Sequence, residues 1–165
     1  MRTYYHFCRE DRRLGFGDGR EIRVGETLAV DCEPILCHRG LHASRRLIDA
    51  LKYAPGPVVA KVQLGGIVVH GTDKSVATKR TTIAIADCTD ILRAFARKCA
   101  LDVLHLWDAP EVVERYLRTG DESIRDAARD AATGAAREKQ NRRLASMLRR
   151  ANWLSQPATN NGVES

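Results

Sequence analysis

Long apolar runs are missing from this chain, and none approaches the ~20 residues that a membrane-spanning helix requires. Its first residues, Met1-Arg2-Thr3-Tyr4-Tyr5-His6, lack the apolar stretch of a secretory signal, so a soluble, intracellular, cytoplasmic protein is expected. Aromatic residues are scarce, at 5% of the chain, and form no ladder. With no recognised nucleic-acid motif either, base readout is not expected. The five cysteines (Cys8, Cys32, Cys37, Cys88, Cys99) are odd in number and lack framework-like spacing, which points to reduced thiols. Internal repeats of longer period are absent, which excludes solenoid architectures.

What is present suffices for a core. A hydrophobic content of 44% in 165 residues suits one domain, or a compact core with a helical appendage. The net charge of +6 is unevenly placed: residues 123–153 hold eight Lys/Arg against three acidic residues, Asp126, Asp130 and Glu138, and so account for five of the six charges. Such asymmetry points to a polyanion or an acidic protein face as partner.

The pattern predicts an α+β protein: a small, mainly antiparallel sheet with one crossing helix, then a C-terminal helical subdomain of about three helices. Boundaries are expected at 1–86, 87–153 and 154–165, the last a polar tail. Tyr4 to Cys8 reads as a strand, Gly15-Phe16-Gly17-Asp18-Gly19 as a turn, and Ile22 to Val24, Thr27 to Val30 and Ile35 to Cys37 as short strands. Ser44 is placed to cap a helix over 45–53 that stops before Pro55. Val58 to Leu64 alternates as a half-buried strand. Gly65-Gly66 suits a two-residue hairpin, Ile67 to His70 returns, and Arg80 to Ala86 supplies another strand. From Thr89 to Trp107 apolar residues recur every three or four positions. Pro110 opens a second helix that Gly120 ends, and Asp121 caps a third running to about Trp153. Paired alanines 127/128, 131/132 and 135/136 form a stripe suited to close helix approach, and Gly134 predicts a bend.

The chemistry concentrates in Cys37-His38-Arg39-Gly40-Leu41-His42-Ala43-Ser44 and, thirty residues on, Gly71-Thr72-Asp73-Lys74. Cys32, Cys37, His38 and His42 lie close in sequence. Adjacent Cys37 and His38 face opposite ways on a strand, however, and no metal site is expected. A Cys37 nucleophile would need an orienting Asn or Asp, and none is evident. Anion binding fits better. Arg39, Gly40, Ser44, Arg45 and Lys74 form the candidate ligand-binding set, with Gly40 left-handed, amides at Ser44 and a point charge at Lys74. Arg46, Lys79 and Arg80 would add positive charge. The bland alternative is that His38 and His42 satisfy local backbone groups.

Together, Gly40-Leu41-His42-Ala43-Ser44, Leu51-Lys52-Tyr53, Val62-x-Leu64-Gly65-Gly66 and Asp73-Lys74-Ser75-Val76-Ala77 resemble an uncharacterised domain family common in bacteriophages and prophages, over roughly residues 3–86. Ala136-Arg137-Glu138-Lys139-Gln140-Asn141-Arg142-Arg143-Leu144 resembles the alanine-rich tails of phage and mobile-element accessory proteins. These resemblances imply an accessory protein, in conflict with host defence. A weaker resemblance is to the ADP-ribosyltransferase and RNA 2′-phosphotransferase fold, through His6 in Tyr4-Tyr5-His6-Phe7 and the run from Gly40 through Tyr53 to Leu64. It implies catalytic His6, His42 and Tyr53 with NAD as cofactor. Thr81 to Ala86 contains no carboxylate where that family places its acid.

Three functions follow as expectations. The first is a binding protein that engages nucleic acid or a host-defence complex through Arg137, Lys139, Arg142, Arg143, Arg149 and Arg150. The second is an NAD-dependent or phosphotransferase-like enzyme. The third is an oligomeric assembly protein joined through the alanine stripe.

Overall fold

A computed structural model describes residues 2–150. Five strands, β1 (Tyr4–Cys8), β2 (Thr27–Ala29), β3 (Leu41–Ala43), β4 (Val58–His70) and β5 (Ser75–Asp87), form one antiparallel sheet. A short helix α1 (Leu47–Leu51) crosses between β3 and β4, and α2 (Thr89–Asp102), α3 (Glu111–Thr119) and α4 (Arg125–Arg150) follow. The chain is therefore α+β, with helices segregated after the sheet. Its contacts divide it into two compact units between Arg93 and Ala94, inside α2.

The two long strands organise the first unit. β4 pairs with β5 along their lengths, from Val58↔Asp87 to His70↔Ser75. The other edge of β4 receives β1, with Tyr4↔Val62 and His6↔Ala60. The other edge of β5 receives β3 at Ser75–Ala77 and β2 at Lys79–Thr81. One residue past β3, Ser44 bridges back to Tyr5 of β1, with reciprocal amide–carbonyl bonds of 2.7 and 2.9 Å. The strands thus run round a closed circuit, β1-β4-β5-β3-β1, and β1 is covered rather than left as an edge.

Small and branched side chains make up most of the buried core of the sheet unit. Ala60, Val62, Val76 and Ala77 are fully buried, and Tyr4, Cys8, Ile22, Ala43 and Val58 join the core. Period-2 alternation on β1 and β4 puts Tyr4, Cys8, Val58, Ala60 and Val62 on this inner side.

Several local expectations need correction. Gly65-Gly66 does not make a hairpin. β4 runs through it to His70, and the register shift between Gly65 and Val68 marks a bulge. Gly66 has φ +67, and a Cβ there would collide with Thr78 Oγ1, which accepts the Ile67 amide instead. The left-handed glycine thus inserts an extra residue without reversing the chain. The reversal comes at 71–74. Ile35 to Cys37 is not a strand: Ile35 and Arg39 bridge across a tight turn, and the strand is Leu41–Ala43. Ile22 to Val24 is no strand either, Ile22 bonding back to Arg12 in a small loop pairing. Ser44 does not cap a helix, because its backbone is taken by Tyr5. The helix is only Leu47–Leu51, with Arg46 at its N-cap and no side-chain cap.

In the second unit, Pro110 is the N-cap of α3 and Gly120, at φ +70, its C-cap. The Asp121 carboxylate accepts the Ser123 amide at 2.9 Å and opens a 3-10 turn that leads into α4. α4 continues through Gly134 as one helix element. Val113 of α3 and Ala128 of α4 are the buried residues of these two packed helices, with Ala131, Ala132 and Ala135 partly covered. Ala128 of the alanine stripe thus packs within the chain. The expected tail and the helix beyond Arg150 lie outside the described residues.

Candidate functional site

His42 sits in the middle of β3, and both its ring nitrogens are engaged by backbone. The Cys37 amide donates to Nε2 at 3.1 Å, which fixes the proton on Nδ1, and Nδ1 lies 3.1 Å from the Gly40 carbonyl. The ring is thereby a neutral staple across the 37–42 loop. Burial lowers its affinity for a proton, and the Lys74 and Arg80 charges act in the same direction. Gly40 is required beneath it: φ is +109, and a Cβ there would stand 2.6 Å from Val76 Cγ2.

Outside the strands, Tyr53 and Lys74 meet beside Asp73. The Tyr53 hydroxyl donates to Asp73 Oδ2 at 2.6 Å, and Lys52 Nζ lies 3.0 Å from the same oxygen. Tyr53, then Lys52, hold the Asp73 carboxyl below its usual range. Lys74 Nζ stands 3.9 Å from the centre of the Tyr53 ring. The Cys37 thiol is the main influence raising the Lys74 ammonium. Cys37, His42, Lys74, Tyr53 and Asp73 thus form one neighbourhood, built from the 37–42 loop, the end of α1 and the β4–β5 turn. Arg39 is exposed on the turn that closes with Ile35, and Arg45 lies 5.8 Å over the Tyr4 ring. Tyr4 also stacks on His70, whose Nδ1 lies 2.8 Å from Ser75 Oγ. Ser44 is buried, and its amide is committed to Tyr5 rather than free for an anion.

His6 faces the interior, between Tyr4 and Cys8 on β1 and opposite Ala60. Burial holds its pKa well below the ordinary histidine value, with Arg80 and His42 adding to the effect, while the His42 backbone opposes them. Arg80 is the largest fully buried side chain among the described residues. Its Nη1 donates to the His42 carbonyl at 2.7 Å, and Nε and Nη2 have no partner among the described residues. Desolvation brings its pKa down to about 10, which leaves it cationic at neutral pH. Arg80 was legible only as one more basic residue, because β5 reads Thr78-Lys79-Arg80-Thr81-Thr82 and this polar run hides which side is inside.

The basic residues of α4 belong to the second unit. Arg125 pairs with Glu122, Arg129 with Asp126 and Asp130, and Arg142 with Glu138. Among the described residues, Arg137, Lys139, Arg143, Arg149 and Arg150 have no acidic partner. Among the described residues there is also no group of three or more His, Cys, Asp or Glu placed to hold a metal ion, and no helix long and apolar enough to cross a membrane. An open depression of about 470 Å³ lies elsewhere, lined by Arg9, Glu10, Asp11, Pro55, Gly56 and Pro57. In comparisons with known proteins, the chain matches no family model, no curated protein and no solved structure.

Proposed function

We propose that this chain is a binding protein of the phage or mobile-element accessory kind, and that it engages nucleic acid through the distal half of α4. The observation that supports this is the charge of that segment. Past residue 136, α4 is almost wholly exposed, and five cations there lack an acidic neighbour among the described residues. A helix with such a face attracts a polyanion by releasing its condensed counterions, with no need for base contacts. An ADP-ribosyltransferase-like enzyme would need His42 and Tyr53 available to NAD. His42 has both nitrogens bonded to backbone, and the Tyr53 hydroxyl is bonded to Asp73.

The test is fluorescence anisotropy with duplex and single-stranded oligonucleotides over a salt series. The expected log–log slope is about −3 to −4.5, each neutralised duplex phosphate contributing roughly 0.9. Charge reversal of Arg137, Lys139 and Arg143 to Glu abolishes binding without unfolding the sheet unit. Absence of binding to either oligonucleotide at low salt removes nucleic acid, and an acidic host-defence protein becomes the partner to seek.

A further inference from the structure

The strand circuit holds an arginine where an apolar core would hold leucine. Arg80 is 1% exposed, and Thr82, next but one on β5, is equally buried. Among the described residues no carboxylate is bonded to Arg80, and its one hydrogen bond is Nη1 to the His42 carbonyl. The two nitrogens left over, Nε and Nη2, are not an arbitrary pair. Their N–H bonds run parallel along one edge of the planar guanidinium, and this edge is the fork that grips two oxygens of a carboxylate or phosphate. A buried charge with an unmet fork is costly, since each unsatisfied buried donor costs on the order of 1–3 kcal/mol and a charged one more.

The surroundings suit an anion. His6 lies near Arg80 on the inner side of β1, opposite the small, buried Ala60 of β4. The way in is set by the topology. The Tyr5–Ser44 bridge is the one backbone pairing between β1 and the β3 segment among the described residues, and it is next to His6 on one strand and two residues from His42, the partner of Arg80, on the other. Parting this seam, the Tyr5–Ser44 bridge together with the His6–His42 contact, leaves the β1–β4 and β3–β5 ladders intact.

We propose that the interior of the sheet unit is a binding site for a small oxyanion, a carboxylate or a phosphate group. It is gripped two-fold by Nε and Nη2 of Arg80, with His6 beside it, and it enters through the Tyr5–Ser44 seam. This site is independent of the nucleic-acid surface on α4.

The experiment uses the full chain and reads the arginine Nε–H signals by ¹⁵N-correlated NMR. Inorganic phosphate, acetate and chloride are titrated at constant ionic strength, alongside thermal melts. One arginine Nε–H signal is expected to shift downfield and saturate with phosphate or with acetate but not with chloride, and the melting temperature is expected to rise with it. Whichever of the two saturates first names the ligand class. The Arg137/Lys139/Arg143→Glu protein is expected to keep both responses, which separates this site from α4. Arg80→Lys keeps the charge but loses the fork, and is expected to weaken the response about tenfold or more. If that variant does not fold, His6→Gln provides the second comparison, with the saturating signal expected to move. Equal behaviour of phosphate, acetate and chloride, or loss of the response in the α4 variant, overturns the proposal and leaves ordered water as the occupant of the fork.

Discussion

Arg80 and His42, 38 residues apart, are joined by a 2.7 Å bond from the guanidinium Nη1 to a main-chain carbonyl, and this bond ties the centre of β5 to β3 inside the strand circuit. Buried ion–dipole contacts of this kind specify a structure more than they stabilise it. Replacing a buried charge with an apolar group of similar length is often neutral or stabilising, whereas truncating it leaves a cavity and an orphaned partner. In the absence of added oxyanion, Arg80→Met is expected to lie within about 1 kcal/mol of the parent, or above it, by urea denaturation. Arg80→Ala is expected to lose about 2–5 kcal/mol. Equal losses in the two variants would show that the cation itself holds the fold.

The two histidines of the circuit predict how stability depends on pH. Burial, first among the causes, lowers the pKa of both His6 and His42 in the folded protein. The charges facing them point the same way: Arg80 from β5 for both, and Lys74 from the β4–β5 turn for His42. In the unfolded chain each titrates near its ordinary value, about 6.5. Below that pH the unfolded state takes up protons that the folded state refuses, so stability falls as pH drops. The slope reaches at most about 1.4 kcal/mol per pH unit for each histidine, and the half-exposed His42 contributes less than His6. Urea midpoints should therefore fall between about pH 7 and pH 5, and His6→Gln should flatten most of that decline. At neutral pH the His42 ring should show the Nδ1–H tautomer in nitrogen spectra. A midpoint that does not move over this range would sink the assignment of neutral, buried imidazoles.

Three glycines separate by environment. Gly40, at φ +109 and facing Val76 Cγ2, tolerates no side chain, so Gly40→Ala should cost more than the roughly 1 kcal/mol of an ordinary helix or strand glycine. Gly66→Ala should be costly for strain and for contact with Thr78 Oγ1, and Thr78→Ala in the same chain should recover the contact part alone. Gly134 meets nothing within 4 Å and lies inside α4, so Gly134→Ala should stabilise by about 1 kcal/mol. Thermal melts of the three variants check the order, and a destabilising Gly134→Ala would mean that α4 is bent there.

The elements with strong periodicity were legible before any coordinates. β1, the first half of β4, α3 with its Pro110 and Gly120 ends, and the long basic helix all follow from spacing and capping residues. What was hidden depended on distant partners. Nothing local tells Gly65-Gly66 to bulge instead of turn, because the decision rests with Thr78 on the neighbouring strand. Ser44 carries a capping side chain, but its backbone is claimed by Tyr5, 39 positions earlier by the numbering. In the candidate site, Tyr53 and Lys74 were found because both are chemically conspicuous, and Asp73, which joins Tyr53 to Lys52, looked like an ordinary turn residue. For His42, the expectation that it satisfies local backbone groups describes what its ring does.

The bridge between Tyr5 and Ser44 also dictates the order in which a nascent chain can mature. β1 leaves the ribosome first, yet its neighbours are Ser44 and Val58–Val62, and β4 itself is paired all along by a strand that ends at Asp87. At about 5–20 residues per second, roughly 4–16 s separate the synthesis of the first strand from that of the last. For that interval Tyr4 and Phe7 have no shelter, so the N-terminal segment is where a chaperone would find its handle on this protein.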